Sequence, residues 1–259
     1  MKNELVSIGP VTIYGYGLMI AMGIIAAYAT TSYRAKKMKL DENKLTNIAI
    51  WGVLGGILGA KLLYIITQIK QVLSDPTILI DIAGGYVVYG GIIGGVIAGF
   101  LYCKKAKISF MQYFDLVMPS VALAQGFGRI GCFLAGCCYG MQTTSGFSIV
   151  FHESDFAPNG IHLIPTQLIS SGLNFIHFIL LILIAKRSKK EGQVAGFYLI
   201  FYSLGRFILE FFRGDLVRGS VGTLSTSQFI SVFIFIIGWV FVLRKTKASQ
   251  DEHLFDTNQ

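Results

Sequence analysis

The sequence predicts an all-α integral membrane protein of seven transmembrane helices, with the N-terminus outside and the C-terminus cytoplasmic. Three observations carry this. Of 259 residues, 53% are hydrophobic and only 14% are charged, and the mean hydropathy is +0.62, which is more apolar than a soluble domain of this length. Seven apolar segments can be drawn, each near the ~20 residues needed to cross a bilayer. Lysines and arginines gather in alternate connections, which the positive-inside rule assigns to the cytoplasm.

The segments are taken in order. The first, about 11–31, carries Tyr14, Tyr16 and Tyr28 and reads as a retained span, because no small-residue cleavage site follows it. Arg34, Lys36, Lys37, Lys39 and Lys44 come next. The second, 46–66, holds Lys61 and glycines four apart, at 52 and 56 and at 55 and 59. The third, 78–102, holds Asp81, Tyr89, the pair Gly90 and Gly94, and the series Gly91, Gly95, Gly99. Four-residue spacing lines small residues along one ridge and lets helix backbones approach in lipid. Gly84-Gly85 and Gly90-Gly91 bracket Tyr86 and Tyr89, a composition that can bend the third span beside a cavity.

Lys104, Lys105 and Lys107 precede the fourth segment, 116–140, which contains Arg129 and has Asp115 at its start. A connection at about 141–164 falls on the outer side and is expected to form a small cap. The fifth segment, 165–185, is followed by Lys186, Arg187, Lys189 and Lys190. The sixth, 194–212, and the seventh, 226–243, complete the set, with Arg244, Lys245 and Lys247 after them. The intervening connections hold Lys70, then no basic residue, then Arg213 and Arg218. Residues 1–259 therefore read as one seven-span domain. The net charge of +8 is a topology signal, since its clusters are short and scattered, and no nucleic-acid partner is expected.

Charges inside the apolar segments point to chemistry. Arg206, Glu210 and Arg213 are spaced by four and three, so a helix would put all three on one face. A charge at membrane depth costs about 2.5–3.5 kcal/mol on insertion scales. Two arginines around one carboxylate leave a positive face suited to a phosphate, which a guanidinium grips through two nitrogens. The alternative is an ion-pair clasp between helices. Arg129 lies among Gly126, Gly128 and Gly131, so a ligand has room to approach it; its structural alternative is a pair with Asp115 or Glu210. Asp81 and Asp115, near span ends, read as hydrated, and Lys61 as snorkelling. Tyr16 reads as an interfacial anchor or as facing a polar cavity. Tyr198 and Tyr202 precede Arg206 by two turns and one turn, with core packing as their default reading.

Cys132, Cys137 and Cys138 leave three readings open: small apolar packing residues, a redox-active set, or a nucleophile or metal site. A helix continued through residue 138 puts Cys138 nearly opposite Arg129 and does not converge adjacent cysteines on one ion. Their spacing contains no Cys-x-x-Cys pair, so no metal or cofactor is expected. His152, Glu153, Asp155 and His162 in the outer connection read as a solvated loop rather than a metal site.

Gly128-Arg129-Ile130-Gly131 and Gly205-Arg206-Phe207-Ile208-Leu209-Glu210-Phe211-Phe212-Arg213 resemble the prolipoprotein diacylglyceryl transferases of bacteria. Tyr16-Gly17-Leu18-Met19, the segment starting Tyr89-Gly90-Gly91, and Pro165-Thr166-Gln167-Leu168 are similar to further motifs of that family, in the same order along nearly the whole chain. The resemblance implies an enzyme of the inner membrane that moves a diacylglyceryl group from phosphatidylglycerol to the thiol of a lipobox cysteine in a secreted prolipoprotein, releasing glycerol phosphate. It implies that Arg129 and Arg206 grip the phosphate, that Glu210 orients the arginines, that Arg213 adds field, and that Tyr16 belongs to the substrate site. Tyr89 stands where the family has histidine, Cys132 where it has asparagine, Cys137 where it has glutamate, and Lys61 where it has arginine. Ile164 and Ser170 replace a histidine and a glutamate. A non-catalytic phospholipid-binding or transport protein, and a membrane thiol-redox protein using Cys132, Cys137 and Cys138, are the alternative readings.

Overall fold

Helices follow the apolar segments, and their ends fall where the charges change. The computed structural model describes residues 4–8, 11–74, 85–215 and 219–244. Asp81, Gly84, Arg218, Lys245 and Lys247 lie outside the described residues. The eight helices of the described residues are α1 (Gly15–Lys37), α2 (Glu42–Thr67), α3 (Ile69–Ser74), α4 (Val88–Lys105), α5 (Phe110–Ala135), α6 (Thr166–Arg187), α7 (Gln193–Glu210) and α8 (Thr226–Leu243). Five of them, α1, α2, α5, α6 and α8, are long and apolar enough to cross a membrane. Large apolar side chains face outward along them, with Ile25 69% and Leu58 71% exposed, as lipid contact requires. The chain is a helical membrane protein.

The basic clusters also suit the helix ends. Arg34, Lys36 and Lys37 occupy the last turn of α1, Lys104 and Lys105 that of α4, and Lys186 and Arg187 that of α6. Cations there complement the negative end of the helix dipole, so these residues favour termination of the helices they end.

Among the described residues the connections add three two-stranded antiparallel sheets to the expected all-helical spans. These are β1 (Glu4–Ile8) with β2 (Val11–Tyr14), β3 (Ile149–Val150) with β4 (His162–Leu163), and β5 (Ser220–Val221) with β6 (Leu224–Ser225). The first apolar segment therefore opens as a strand. Val11-Thr12-Ile13 is β-branched throughout and favours extended backbone, while an apolar run alone does not separate a strand from the start of a helix.

The chain forms two compact units, residues 1–31 with 114–259, and residues 32–113. In the second unit the glycine ridges meet as their spacing predicts. A side chain added at Gly59 would strike the carbonyl oxygen of Gly90, and one at Gly94 would strike that of Gly55. Backbones this close leave no room for a Cβ, so α2 and α4 pack by van der Waals contact through their glycines. Asp41 caps α2 by accepting from the backbone N–H groups of Asn43 at 2.9 Å and Lys44 at 3.4 Å. Lys61 lies over the rings of Tyr64 and Tyr86, 5.6 and 5.4 Å from their centroids. Its ammonium is thus held over aromatic faces.

In the first unit α7 and α8 approach through Gly196 and Gly238. A Cβ on either would lie 2.9 Å from the other's carbonyl oxygen. Asp115 is buried rather than hydrated. Its two oxygens accept from the N–H groups of Gly192 and Ala195, each at 2.7 Å. Gly192 starts α7 with φ 86° and has no side chain of its own to cap it. A carboxylate from α5 supplies the cap across 77 residues. Around the connection at 141–164, Phe133, Phe151, Ala157 and Leu163 form a small buried cluster.

Candidate functional site

The C-terminal ends of α5 and α7 and the N-terminal end of α8 carry the polar groups of the first unit. α7 ends at Glu210, so Arg206 and Glu210 share a helical face while Arg213 lies beyond it on a turn. The Arg206 guanidinium meets Glu210 at 2.9 Å and donates to Ser227 Oγ at 2.9 Å. Their side chains are 15% and 7% exposed. Glu210 also accepts from Ser225 Oγ at 3.1 Å. Ser225 is the N-cap of α8 and forms a capping box with Gln228. The buried pair is thereby tied to the start of α8, and Glu210 sits where that helix dipole favours a negative charge.

Arg213 is gripped by Asp215, with Nε 2.8 Å from one carboxylate oxygen and a terminal nitrogen 2.6 Å from the other. Burial works against its charge, while Asp215 and the nearby Cys138 sulfur hold its pKa above the ordinary arginine value. The turn that carries it is fixed by backbone bonds. Met141 donates to Phe212 at 2.9 Å, and Gly214 donates to Tyr139 at 3.1 Å.

Arg129 differs from both. It is half-buried on α5 and forms no hydrogen bond or ion pair among the described residues. The carboxylates that might have neutralised it are engaged: Asp115 caps α7, and Glu210 holds Arg206. A side chain begun at Gly128 would meet no other part of the described protein within 4 Å, so the face of α5 next to Arg129 is unpacked there. Gly131 lets α1 approach, with a hypothetical Cβ 3.2 Å from the Tyr16 ring and 3.3 Å from Met19. Tyr16 therefore lies beside α5, in the electrostatic field of Arg129 and the three cysteines.

The cysteines depart from the helical expectation. α5 stops at Ala135, Gly136 takes φ 78° and Cys138 takes φ 61°. The chain turns back, and the N–H of Cys137 reaches the Cys132 carbonyl at 3.1 Å. The three sulfurs then lie within 4.8 Å of one another. A left-handed residue other than glycine costs on the order of 1–3 kcal/mol and persists only when its surroundings hold it. Here Gln167 donates to the Cys137 carbonyl at 2.9 Å and Thr166 donates to the Cys138 carbonyl at 3.1 Å. Among the described residues this is the only group of three or more metal-ligating side chains; the histidines and acids of the 141–164 connection do not form one. His162 instead pairs with Ser148 at 2.9 Å.

Thr166, Gln167, Asp215, Ser225 and Ser227 were not expected in the site. Thr166 and Gln167 stood in a quoted motif, and Ser225 stands three residues before Gln228, a capping-box spacing. Tyr89 belongs to the second unit, on the first turn of α4, and is 40% exposed.

Comparison with known proteins gives a consistent result. A family model described as prolipoprotein diacylglyceryl transferase matches residues 3–244. The chain is 52% identical to a phosphatidylglycerol–prolipoprotein diacylglyceryl transferase of Clostridium tetani, over 93% of this chain and 96% of the relative. It is 48% identical to a second such transferase of Clostridium perfringens, over 97% and 98%. Identity to the Finegoldia magna enzyme of the same name is 33%, over 95% and 97%.

Proposed function

The chain belongs to the prolipoprotein diacylglyceryl transferase family, and we propose that it performs that transfer through the arginines of the first unit. The diacylglyceryl group of phosphatidylglycerol passes to the thiol of a lipobox cysteine in a prolipoprotein, and glycerol phosphate leaves. The observation that carries the assignment of residues is Arg129, a half-buried guanidinium without a hydrogen-bond or ion-pair partner among the described residues, in the same field as Arg206. An unneutralised cation at membrane depth is retained where it meets an anion, and the phosphodiester of the donor is that anion.

Arg129 grips the phosphate. Arg206, held by Glu210 and Ser227, presents further positive charge from a fixed position and stabilises the departing phosphate. Glu210 orients Arg206. Arg213, with its fork taken by Asp215, contributes field and holds the cysteine turn more than it binds substrate. Tyr16 lines the approach along α1. Tyr89 supplies a hydroxyl donor to the leaving group in the role of the family's histidine. The helices α1, α2, α4, α5, α6, α7 and α8 form seven spans of a bacterial inner membrane, with the N-terminus outside, which puts the arginines and cysteines at the outer side.

Expression of this chain in cells depleted of their own transferase tests the reading. Restored growth and a lipoprotein mobility shift are the expected results. Unmodified prolipoprotein in cells that hold the inserted protein would overturn it.

A further inference from the structure

Transfer to a thiol needs the acceptor sulfur as a thiolate. The positions that match the family's acid–base residues do not provide a base here. Tyrosine stands at 89, isoleucine at 164, and cysteines stand at 132 and 137. Cys132 and Cys137 are two of the three residues whose sulfurs converge within 4.8 Å. The third, Cys138, sits in a left-handed conformation on a turn that Thr166 and Gln167 hold from behind. Both supporting residues are buried, at 4% and 1% exposed, so the turn is built into the fold.

In a tetrahedral zinc site with Zn–S bonds of about 2.3 Å, neighbouring sulfurs lie about 3.8 Å apart. A contraction of the cluster by about 1 Å at most reaches that geometry. The donor set is all sulfur, which selects soft or borderline ions of the zinc class over magnesium or calcium. Three thiolates around a divalent ion leave one negative charge. Arg213 lies within hydrogen-bonding reach of the Cys138 sulfur, and Arg129 lies in the field of Cys132, so cations are in place to offset it.

We propose that Cys132, Cys137 and Cys138 bind one zinc-class ion through three sulfurs, and that its open fourth position takes the acceptor thiol. The proposal rests on the transferase reading and supplies the thiol activation that the reading lacks. Three protein ligands with an open position is the catalytic arrangement for zinc, and a thiol that coordinates such an ion loses its proton. The proton passes to water. The acceptor sulfur then attacks the glycerol carbon that bears the phosphate ester. An S–C bond forms, the C–O bond breaks, and its electron pair departs with glycerol phosphate. No atom changes oxidation state, so no oxidant or reductant is required.

The test uses the full-length protein in detergent with a phosphine reductant, titrated with cadmium. A sulfur-to-cadmium charge-transfer band that saturates at one ion per chain is expected. Cys132→Ser, Cys137→Ser and Cys138→Ser should each remove about one third of its intensity, since each deletes one of three sulfur donors. Cys103→Ser should leave the band unchanged. Wild-type protein needs no variant to report: bound cadmium should protect three of the four cysteines from maleimide, read by mass spectrometry. A lipobox peptide should add a fourth sulfur to the band, and chelation should suppress transfer until zinc is returned. Absence of the band, its survival in the triple-serine variant, or full transfer by metal-stripped protein would overturn the proposal. Metal-independent transfer leaves the transferase reading standing. A three-sulfur site that accepts the peptide thiol, in a chain that fails complementation, supports the ion site and sinks the transferase reading instead.

Discussion

The Gln167 side chain donates to the backbone carbonyl of Cys137 at 2.9 Å, across 30 residues, and is 1% exposed. It joins the first turn of α6 to the turn that follows α5. Gln167→Ala leaves a partly buried carbonyl without its donor, a loss of about 1 kcal/mol. The expected outcome is lower thermal stability in detergent together with faster maleimide reaction at Cys137 and Cys138. Unchanged labelling would show that the turn stands without this bond.

Arg129 and Arg206 should separate binding from stability. Arg129→Ala removes a group that has no hydrogen-bond or ion-pair partner among the described residues, so insertion and thermal stability should hold while phospholipid binding weakens by about 2–5 kcal/mol, the range for a desolvated charge contact. Arg206→Ala should lose both, because it strands the buried Glu210 at a cost of about 3–5 kcal/mol. Lysine should rescue neither well, since it lacks the planar fork. Stability assays beside lipid-binding measurements check this. An equal loss of stability in both variants would make Arg129 structural.

Tyr89→Phe keeps the ring and deletes the hydroxyl. Transfer should fall by about 10²–10⁴-fold, the usual contribution of a proton donor, with phosphatidylglycerol affinity retained. Full turnover in an extract assay would remove the role given to this tyrosine.

The glycine ridges of the second unit give a packing prediction. Gly59→Ala places a methyl group against the Gly90 carbonyl and 2.9 Å from Gly94 Cα, and overpacking of this kind costs about 1–3 kcal/mol. Gly17→Ala meets nothing within 4 Å and should be neutral or slightly stabilising, as alanine is the better helix former. Thermal melts of the two variants make the comparison.

Topology is testable with single cysteines at Ser145 and Lys189 in a background lacking the native thiols. Both positions border exposed connections. Ser145→Cys should react with an impermeant label in intact spheroplasts, and Lys189→Cys only after lysis. The reverse pattern would invert the orientation.

Features that rest on short-range spacing were legible in the sequence. The four-residue interval of Arg206 and Glu210 became a 2.9 Å ion pair, and the glycine intervals became the contact of α2 with α4. What escaped depends on where a helix stops and on distant partners. Continuing α5 to residue 140 separated the cysteines, although Gly136 was a left-handed terminator in waiting. The cap that Asp115 gives α7 spans 77 and 80 residues, and no local pattern announces it. The strand at Val11–Tyr14 was hidden for a different reason, because an apolar run reads alike in either conformation.

That cap has a consequence for the far end of α7. Asp115 fixes the N–H of Ala195, and Arg206 follows eleven residues later on an unbroken helix, about 16 Å further along at 1.5 Å per residue. The carboxylate thus works as the zero mark of a ruler. A slip of one residue at that mark would carry the guanidinium, together with its helix partner Glu210, about 1.5 Å along the helix axis and swing it by about 100°, away from Ser227 on α8. Where the buried guanidinium of Arg206 comes to rest is tied to the opposite end of the helix, by an acid that makes no contact with it.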